Sequence, residues 1–378
     1  MVFSEEQITK RLMAKEFAMQ QLNDSEVLKL DKKERFNVLW KRCADFGLFS
    51  LAVPQEYDGM EEDILSIVAI MEGLGMGVDA TNILFSANVH IFAGMLPILE
   101  YGSKHNKDSF IPGMMEGDII CAHAISEENA GSDIWSLETT YEEVEGGYRL
   151  SGIKNYVTNA PYADLYIVYA RKKESKKFRG VSAFLVQKGT EGFEVGKSID
   201  KMGIELSPMG SIYFNDCVIS REMMLGKEGQ GMNIFNSTME YERPFLLSYQ
   251  VGIMERQLER CIKFAKERKQ FKKRILDFQS ISNRIADMKV RLEASRLLMY
   301  KVAEEKLNNQ NIYLSSSIAK LYISESLVQN SMNAMEVYGA CGYIKEYHVE
   351  EALRDSIGSK IYSGTSDIQR NIISSMIE

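Results

Sequence analysis

Two stretches of this chain carry side chains that could grip a flat, phosphate-bearing cofactor. In "ISEENAGSDIWS" (125–136), Ile125 leads into a polar loop containing Ser126, Gly131 and Ser132. Backbone N–H groups and hydroxyls in such a loop can hold a polar ring edge or a phosphate, although many polar loops are plain turns. Further on, "LSGIKNYVTNAPYADLYIVYA" places Tyr156 and Thr158 two apart near the end of a strand. Residues two apart on a strand share a face. An aromatic ring and a hydroxyl on one face can stack on a flat cofactor and bond its edge. By themselves they read better as a half-buried core pair. "GKEGQGM" (226–232) invites a nucleotide-loop reading, but it lacks the strand–turn–helix setting of a dinucleotide fingerprint. It reads as the turn feeding a helix.

The elements that must position these residues fall into three blocks. All six prolines lie at or before Pro244, and the glycine-poor remainder can form long helices. Within it, Ile281, Ile285, Met288 and Leu292 recur at helical spacing, the pattern of a bundle helix. In the middle, "DLYIVYAR" (164–171), "GVSAFLVQK" (180–188) and "MGSIYFNDCVI" (209–219) read as strands. The charged "RKKESKKFRG" between the first two reads as a solvated hairpin loop. Before residue 118, "EEQITKRLMAKEFAMQQL" and "DILSIVAIMEGLGM" are helical again. The expected fold is mainly α with a central β domain: helical 1–118, β 119–225, and a helical bundle over 226–378.

The 378 residues suffice for two or three domains with a substantial core, and 45% hydrophobic with 26% charged residues is ordinary for a globular protein. A formal net charge of −8 gives nucleic acid no general attraction, although 263–274 is locally basic. Five scattered cysteines and four histidines form no metal-ligand spacing, so no metal is expected and reduced thiols in the cytoplasm are the simplest reading. The amino terminus lacks the apolar core of a signal peptide. No apolar run reads as long enough to span a bilayer, so no membrane partner is expected.

Five motifs in order resemble the acyl-CoA dehydrogenase family of flavoenzymes. They are "SEENAGSD", "GYRLSGIKNYVTNAPYADLYIVYAR", "KMGIELSPMGSIYFNDCVI", "ERKQFKKRILDFQSISNRIADM" and "EVYGACGYIKEYHVEEALRDSIGSKIYSGTSDIQR". The resemblance spans essentially the whole chain. It implies the same three-block fold, with a four-helix bundle last, and FAD as cofactor. By position it implies flavin and pyrophosphate contacts from Ile125, Ser126, Gly131 and Ser132, with Tyr156 and Thr158 against the ring system. It implies that Arg268 and Phe271 serve a neighbouring subunit's FAD, so a homodimer or homotetramer is expected. Glu336, Gly339 and Gly342 fall in the adenosine-side segment, and Thr365 with Asp367 follow the closing turn. Some cofactor-side positions depart from the family's usual residues: Glu336 replaces a usual glutamine, Ala340 a usual glycine, Lys272 a common glycine, and Tyr156 a common tryptophan.

Removing an α-proton from a thioester needs a carboxylate at the α-carbon and donors on the thioester oxygen. Many family members carry that glutamate in the closing turn, where this chain has Ser363. A branch that includes isovaleryl-CoA dehydrogenase carries it on a helix, just before an arginine, with a small residue in the turn. Glu242 precedes Arg243 in "STMEYERPFLLS", so the resemblance implies Glu242 as the base. Arg243, Ser363 and Gly364 are then expected at the substrate. A surface or ion-paired glutamate is the alternative for Glu242.

The substrate class is less fixed. Glu205 stands where an arginine is frequent in the family and Glu240 where an aspartate is frequent, and carboxylates near anionic CoA would not favour it. The "SPMG" turn and "YER" resemble relatives that oxidise acyl or aminoacyl thioesters on acyl or peptidyl carrier proteins, in polyketide and nonribosomal peptide biosynthesis. The expected reaction is FAD-dependent oxidation of such a thioester. An ordinary short or branched acyl-CoA substrate is the alternative, with an electron-transferring flavoprotein as a further partner. An oxidase or monooxygenase on the same fold, or a non-enzymatic binding module, stays open.

Overall fold

The computed structural model describes residues 4–79, 82–175 and 180–377. Part of the charged 171–180 loop lies outside the described residues. The chain opens with α1 (Glu5–Phe17), α2 (Ser25–Leu28), α3 (Lys32–Asp45) and α4 (Ile64–Gly77). Next come α5 (Asn82–Asn88), a π-helical stretch (Val89–Met95), α6 (Leu96–Tyr101) and α7 (Lys104–Met115). Capping side chains set several starts: Ser4 with Gln7 and Ser103 with Asn106 form capping boxes, and Asp63 accepts from the Ser66 amide.

One feature overturns the expectation that no apolar run could span a bilayer. Ile83–Tyr101 is long and apolar enough by length and composition, yet 83% of its most apolar window is buried inside the protein. It is a core helix, apolar all round because it is covered all round.

Among the described residues, eight strands make one sheet. They are β1 (Cys121–Ala124), β2 (Thr140–Val144), β3 (Gly147–Thr158), β4 (Leu165–Lys172), β5 (Val181–Gln187), β6 (Phe193–Val195), β7 (Met209–Ser220) and β8 (Met224–Leu225). Their order is β6-β7-β3-β2-β4-β5-β8, with β1 joined in parallel to β4. β4 and β5 are buried along almost their whole length, which explains their unbroken apolar sequences.

The bundle comprises α8 (Gly231–Phe245), α9 (Ser248–Glu267), α10 (Gln279–Leu307), α11 (Tyr313–Tyr338), α12 (Val349–Gly358) and α13 (Ser366–Ile377). On α10, Met288 and Leu292 are buried while Ile281 and Ile285 are half-buried against the core. A charged knot ties this bundle to the first block. The fully buried Glu72 on α4 accepts from Arg11 of α1 and Arg296 of α10 at 2.8 Å each, and from the Tyr300 hydroxyl at 2.8 Å. Glu255 of α9 pairs with both arginines. Each buried charge thereby has an opposite partner and hydrogen bonds, the condition for tolerating it.

Candidate active site

The base position is built at the end of α8. Pro244 has no N–H to bond the Glu240 carbonyl, and the helix stops one residue later. This places Glu242 in the last turn, only 9% exposed. Opposite it lies the turn between α12 and α13, where Ser363 has φ +52 and Gly364 φ +86. Gln369, one turn into α13, donates from Nε2 to the carbonyls of Ser363 (3.3 Å) and Gly364 (3.1 Å). A side chain at Gly364 would meet that amide at 2.6 Å.

The turn delivers the Ser363 hydroxyl to Glu242, whose Oε1 accepts it at 2.6 Å. The other oxygen, Oε2, is buried with no hydrogen-bond partner among the described residues. Burial pushes the carboxyl up to about 7, against smaller opposing effects of the Ser363 hydroxyl and the Arg243 charge. Arg243 is itself buried, its guanidinium 5.2 Å from the Tyr313 ring centre. Tyr362, just before Ser363, packs its ring on Phe85 at 4.6 Å, and Gln250 donates to its hydroxyl.

Sequence reasoning missed the polar row beside the base. Thr238, one turn before Glu242 on α8, donates to the Ile234 carbonyl at 2.8 Å, and the Tyr169 phenol is pushed up by burial, with the nearby Glu242 charge adding to the effect. The Tyr169 hydroxyl lies 3.0 Å from His123 Nε2, and burial holds that imidazole neutral, pushed down to about 4.

The structure brings the 125–132 loop against the end of β3. A bulge separates the Lys154 and Val157 pairings with β7. Within it Asn155 turns its N–H to the Ser126 carbonyl (2.8 Å), and Tyr156 sits at φ +59, 60% exposed. Thr158 is half-buried just beyond buried Val157. The loop is pinned by a pair the sequence reading passed over. Fully buried Lys154 donates to Glu127 Oε1 (2.6 Å) and to the Ile125 carbonyl (3.1 Å). Glu127 also accepts from the amides of Glu138 and Thr139, and these partners hold it ionised. An acid in the loop and a lysine on the buried face of β3, with Leu150 and Val157, were the available signals.

The remaining positions lie on the bundle. Arg268 caps the end of α9, and Phe271 is 88% exposed beyond it. Gly339 ends α11 at φ +58, with open space where a Cβ would be, as at Gly131. Gly342 is buried just beyond. Glu336 is ion-paired with Arg284, so the carboxylate that replaces an amide is already neutralised. Thr365 Oγ1 accepts from the Ile368 amide at 3.2 Å, and exposed Asp367 pairs with Arg370. These features fit FAD. Tyr156 is a large ring held in the open by a bulge, and the Gly131 loop is rigidly pinned yet uncrowded.

Two expectations about charge need correction. Glu205 is not a free carboxylate: Lys32 stands at 2.9 Å and Arg354 at 3.3 Å. Glu240 pairs with Lys306 at 2.8 Å. Both charges are cancelled locally, so neither gives a reason to disfavour CoA.

Family models for the N-terminal, middle and C-terminal domains of acyl-CoA dehydrogenase match residues 4–118, 122–217 and 229–377. An L-prolyl-[peptidyl-carrier protein] dehydrogenase of Pseudomonas fluorescens is 38% identical over 88% of this chain and 88% of its own. Among solved structures, the prolyl acyl carrier protein oxidase AnaB superposes with a TM-score of 0.95 at 38% identity, covering all of both chains. The FAD complex of PigA gives 0.94 at 36% identity, covering 100% of this chain and 98% of its own. With its fold and all three domain models in agreement, the chain belongs to the acyl-CoA dehydrogenase family of FAD-dependent oxidoreductases.

Proposed function

We propose that this protein oxidises a small aminoacyl or acyl thioester tethered to a peptidyl or acyl carrier protein. One observation carries the chemistry: the buried Glu242 carboxylate has Oε1 capped by Ser363 and Oε2 without a partner. The unpartnered oxygen is the atom that takes the α-proton. A carboxyl poised near 7 can be ionised before the step and hold the proton after it. The backbone N–H groups of the Ser363–Gly364 turn serve the thioester oxygen as charge builds there. Phe85 packs on Tyr362 directly beside Ser363, a bulky pair next to the base that suits a small acyl group. Bound FAD supplies the acceptor for the hydrogen and electron pair that leave the adjacent carbon. Ile125, Ser126, Gly131, Ser132, Tyr156 and Thr158 hold its flavin half. Arg268, Phe271, Glu336, Gly339, Thr365 and Asp367 hold the rest across a homodimer or homotetramer in the cytoplasm.

The carrier-bound substrate is supported by the relatives named for prolyl carrier proteins, not by Glu205 and Glu240. The name of AnaB also supports a second reading, in which dioxygen rather than an electron-transferring flavoprotein takes the electrons. One experiment addresses both. The purified flavoprotein is mixed anaerobically with prolyl-loaded carrier protein and, separately, with short-chain acyl-CoA, and then exposed to air. Fast bleaching by the carrier substrate alone is expected, and faster bleaching by acyl-CoA would reverse the assignment. Rapid reoxidation in air selects the oxidase.

A further inference from the structure

Beyond Arg268, the chain makes a tight hairpin from β9 (Lys269–Gln270) and β10 (Lys273–Arg274). The two residues joining the strands, Phe271 and Lys272, both have positive φ, +49 and +66. A two-residue turn of this hand normally takes glycine or asparagine, because a Cβ crowds the backbone there. This chain holds a phenylalanine and a lysine in it, with Phe271 88% exposed. Strain kept at an exposed turn points to a use for its side chains.

The charges around the turn are one-sided. Arg268, Lys269, Lys272, Lys273 and Arg274 lie within seven residues of a chain with net charge −8. Only Arg274 has an acidic partner among the described residues, Asp277 at 2.7 Å. The hairpin shares one end of the bundle with the Glu336–Gly339 corner. Phe264, in the last turn of α9, stacks on Tyr338, the last residue of α11, at 4.1 Å. The Glu336 carboxylate at that corner is already met by Arg284, so it leaves the hairpin cations uncompensated. An aromatic face among uncompensated cations suits a ligand combining a flat ring with an anionic linker.

We propose that Lys272 is an additional ligand for the diphosphate of FAD, and that the strained turn is kept because it aims this ammonium. The inference rests on the FAD reading above and adds a residue to it.

The test separates fold stability from cofactor affinity. Apoprotein is prepared by removing flavin, and FAD is titrated by fluorescence quenching at low and high salt for wild type, Lys272→Gly, Lys272→Arg and Lys273→Gln. Glycine suits the positive φ, so the thermal midpoint of Lys272→Gly apoprotein should equal or exceed that of wild type. Its FAD Kd should nevertheless rise about tenfold at low salt, less at high salt. Lys272→Arg should keep most of the affinity, and Lys273→Gln should change it little. Equal Kd values for wild type and Lys272→Gly would overturn the inference while leaving the FAD reading intact. Equal weakening by Lys273→Gln would also overturn it, by assigning the effect to the general field of the hairpin. A wild-type chain that binds no FAD would overturn both readings.

Discussion

The hydroxyl of Ser363 donates to Oε1 of Glu242 at 2.6 Å, joining the last turn of α8 to the turn before α13. The bond uses one carboxylate oxygen and leaves the other bare in a buried space. An orphaned buried acceptor costs free energy in the empty site, and a substrate C–H that becomes a carboxyl O–H relieves it. Ser363 therefore does more than leave room for a glutamate on the other element. It fixes the orientation of that glutamate and partly offsets the effect of burial on its proton affinity.

Glu242→Gln keeps the size of the side chain and can still accept from Ser363, but it cannot take the α-proton. Flavin binding should persist while anaerobic bleaching by the thioester slows by at least ~10²–10⁴-fold, the usual contribution of a positioned base. Adding Ser363→Glu to this variant puts a carboxylate across the same 2.6 Å contact and should restore part of the rate. Near-normal bleaching in the single variant would remove Glu242 from the mechanism.

Ser363→Ala tests the hydrogen bond itself. The hydroxyl lowers the pKa of a carboxyl that burial has raised to about 7. Its loss should raise that value further, so the acid limb of the kcat/KM profile should move to higher pH. Activity should fall most below neutrality and recover as pH rises. An unmoved limb would mean that the hydroxyl does not act on the ionisation of Glu242.

Part of the expected site could be read from motifs far apart in the sequence, since Glu242 and Ser363 are separated by 121 residues. The pair Glu242–Arg243 and the small Ser363 could be read as a swap of base position, and the 125–132 loop and β3 could be read as one cofactor wall. The bulge that opens Tyr156 could not, because it arises from the register of β3 against β7. The partners of Glu205 and Glu240 were equally hidden: Lys32, Arg354 and Lys306 are distant in sequence, and only the fold brings them within 3.3 Å. The Gln369 clamp on the closing turn depends on how α13 leaves that turn. Ile83–Tyr101 shows the opposite failure, since its composition alone does not say that protein rather than lipid covers it.

The raised pKa of Glu242 also predicts a pH dependence of stability. Its ordinary value is 4.5 and its folded value about 7, so between them the folded state binds more protons than the unfolded state. Stability from this group is fully present below about 4.5 and is lost as pH rises through about 7, by roughly 3 kcal/mol in all. Denaturant unfolding of wild type and Glu242→Gln should therefore diverge across this window, with the variant gaining relative to wild type as pH rises. Parallel curves would show that the carboxyl titrates normally in the folded protein.

The last prediction concerns Lys154, which touches no part of the expected chemistry. Its buried ammonium meets Glu127 Oε1 at 2.6 Å and the Ile125 carbonyl at 3.1 Å, so one side chain binds the cofactor loop to β3 twice. Lys154→Met removes both bonds and leaves Glu127 buried without its counter-charge, although the Glu138 and Thr139 amides remain on it. Breaking a buried pair from one side costs about 3–5 kcal/mol, and the loop should loosen where Ile125, Ser126, Gly131 and Ser132 are expected to meet FAD. The variant should unfold at lower denaturant and purify with substoichiometric flavin. Adding Glu127→Gln should recover stability, because the stranded charge is gone, but should not recover full FAD occupancy, because the anchor to Ile125 is still missing. Flavin content measured against the denaturation midpoint separates the two effects. Full FAD occupancy in a destabilised Lys154→Met would mean that the pair supports the sheet and not the cofactor loop.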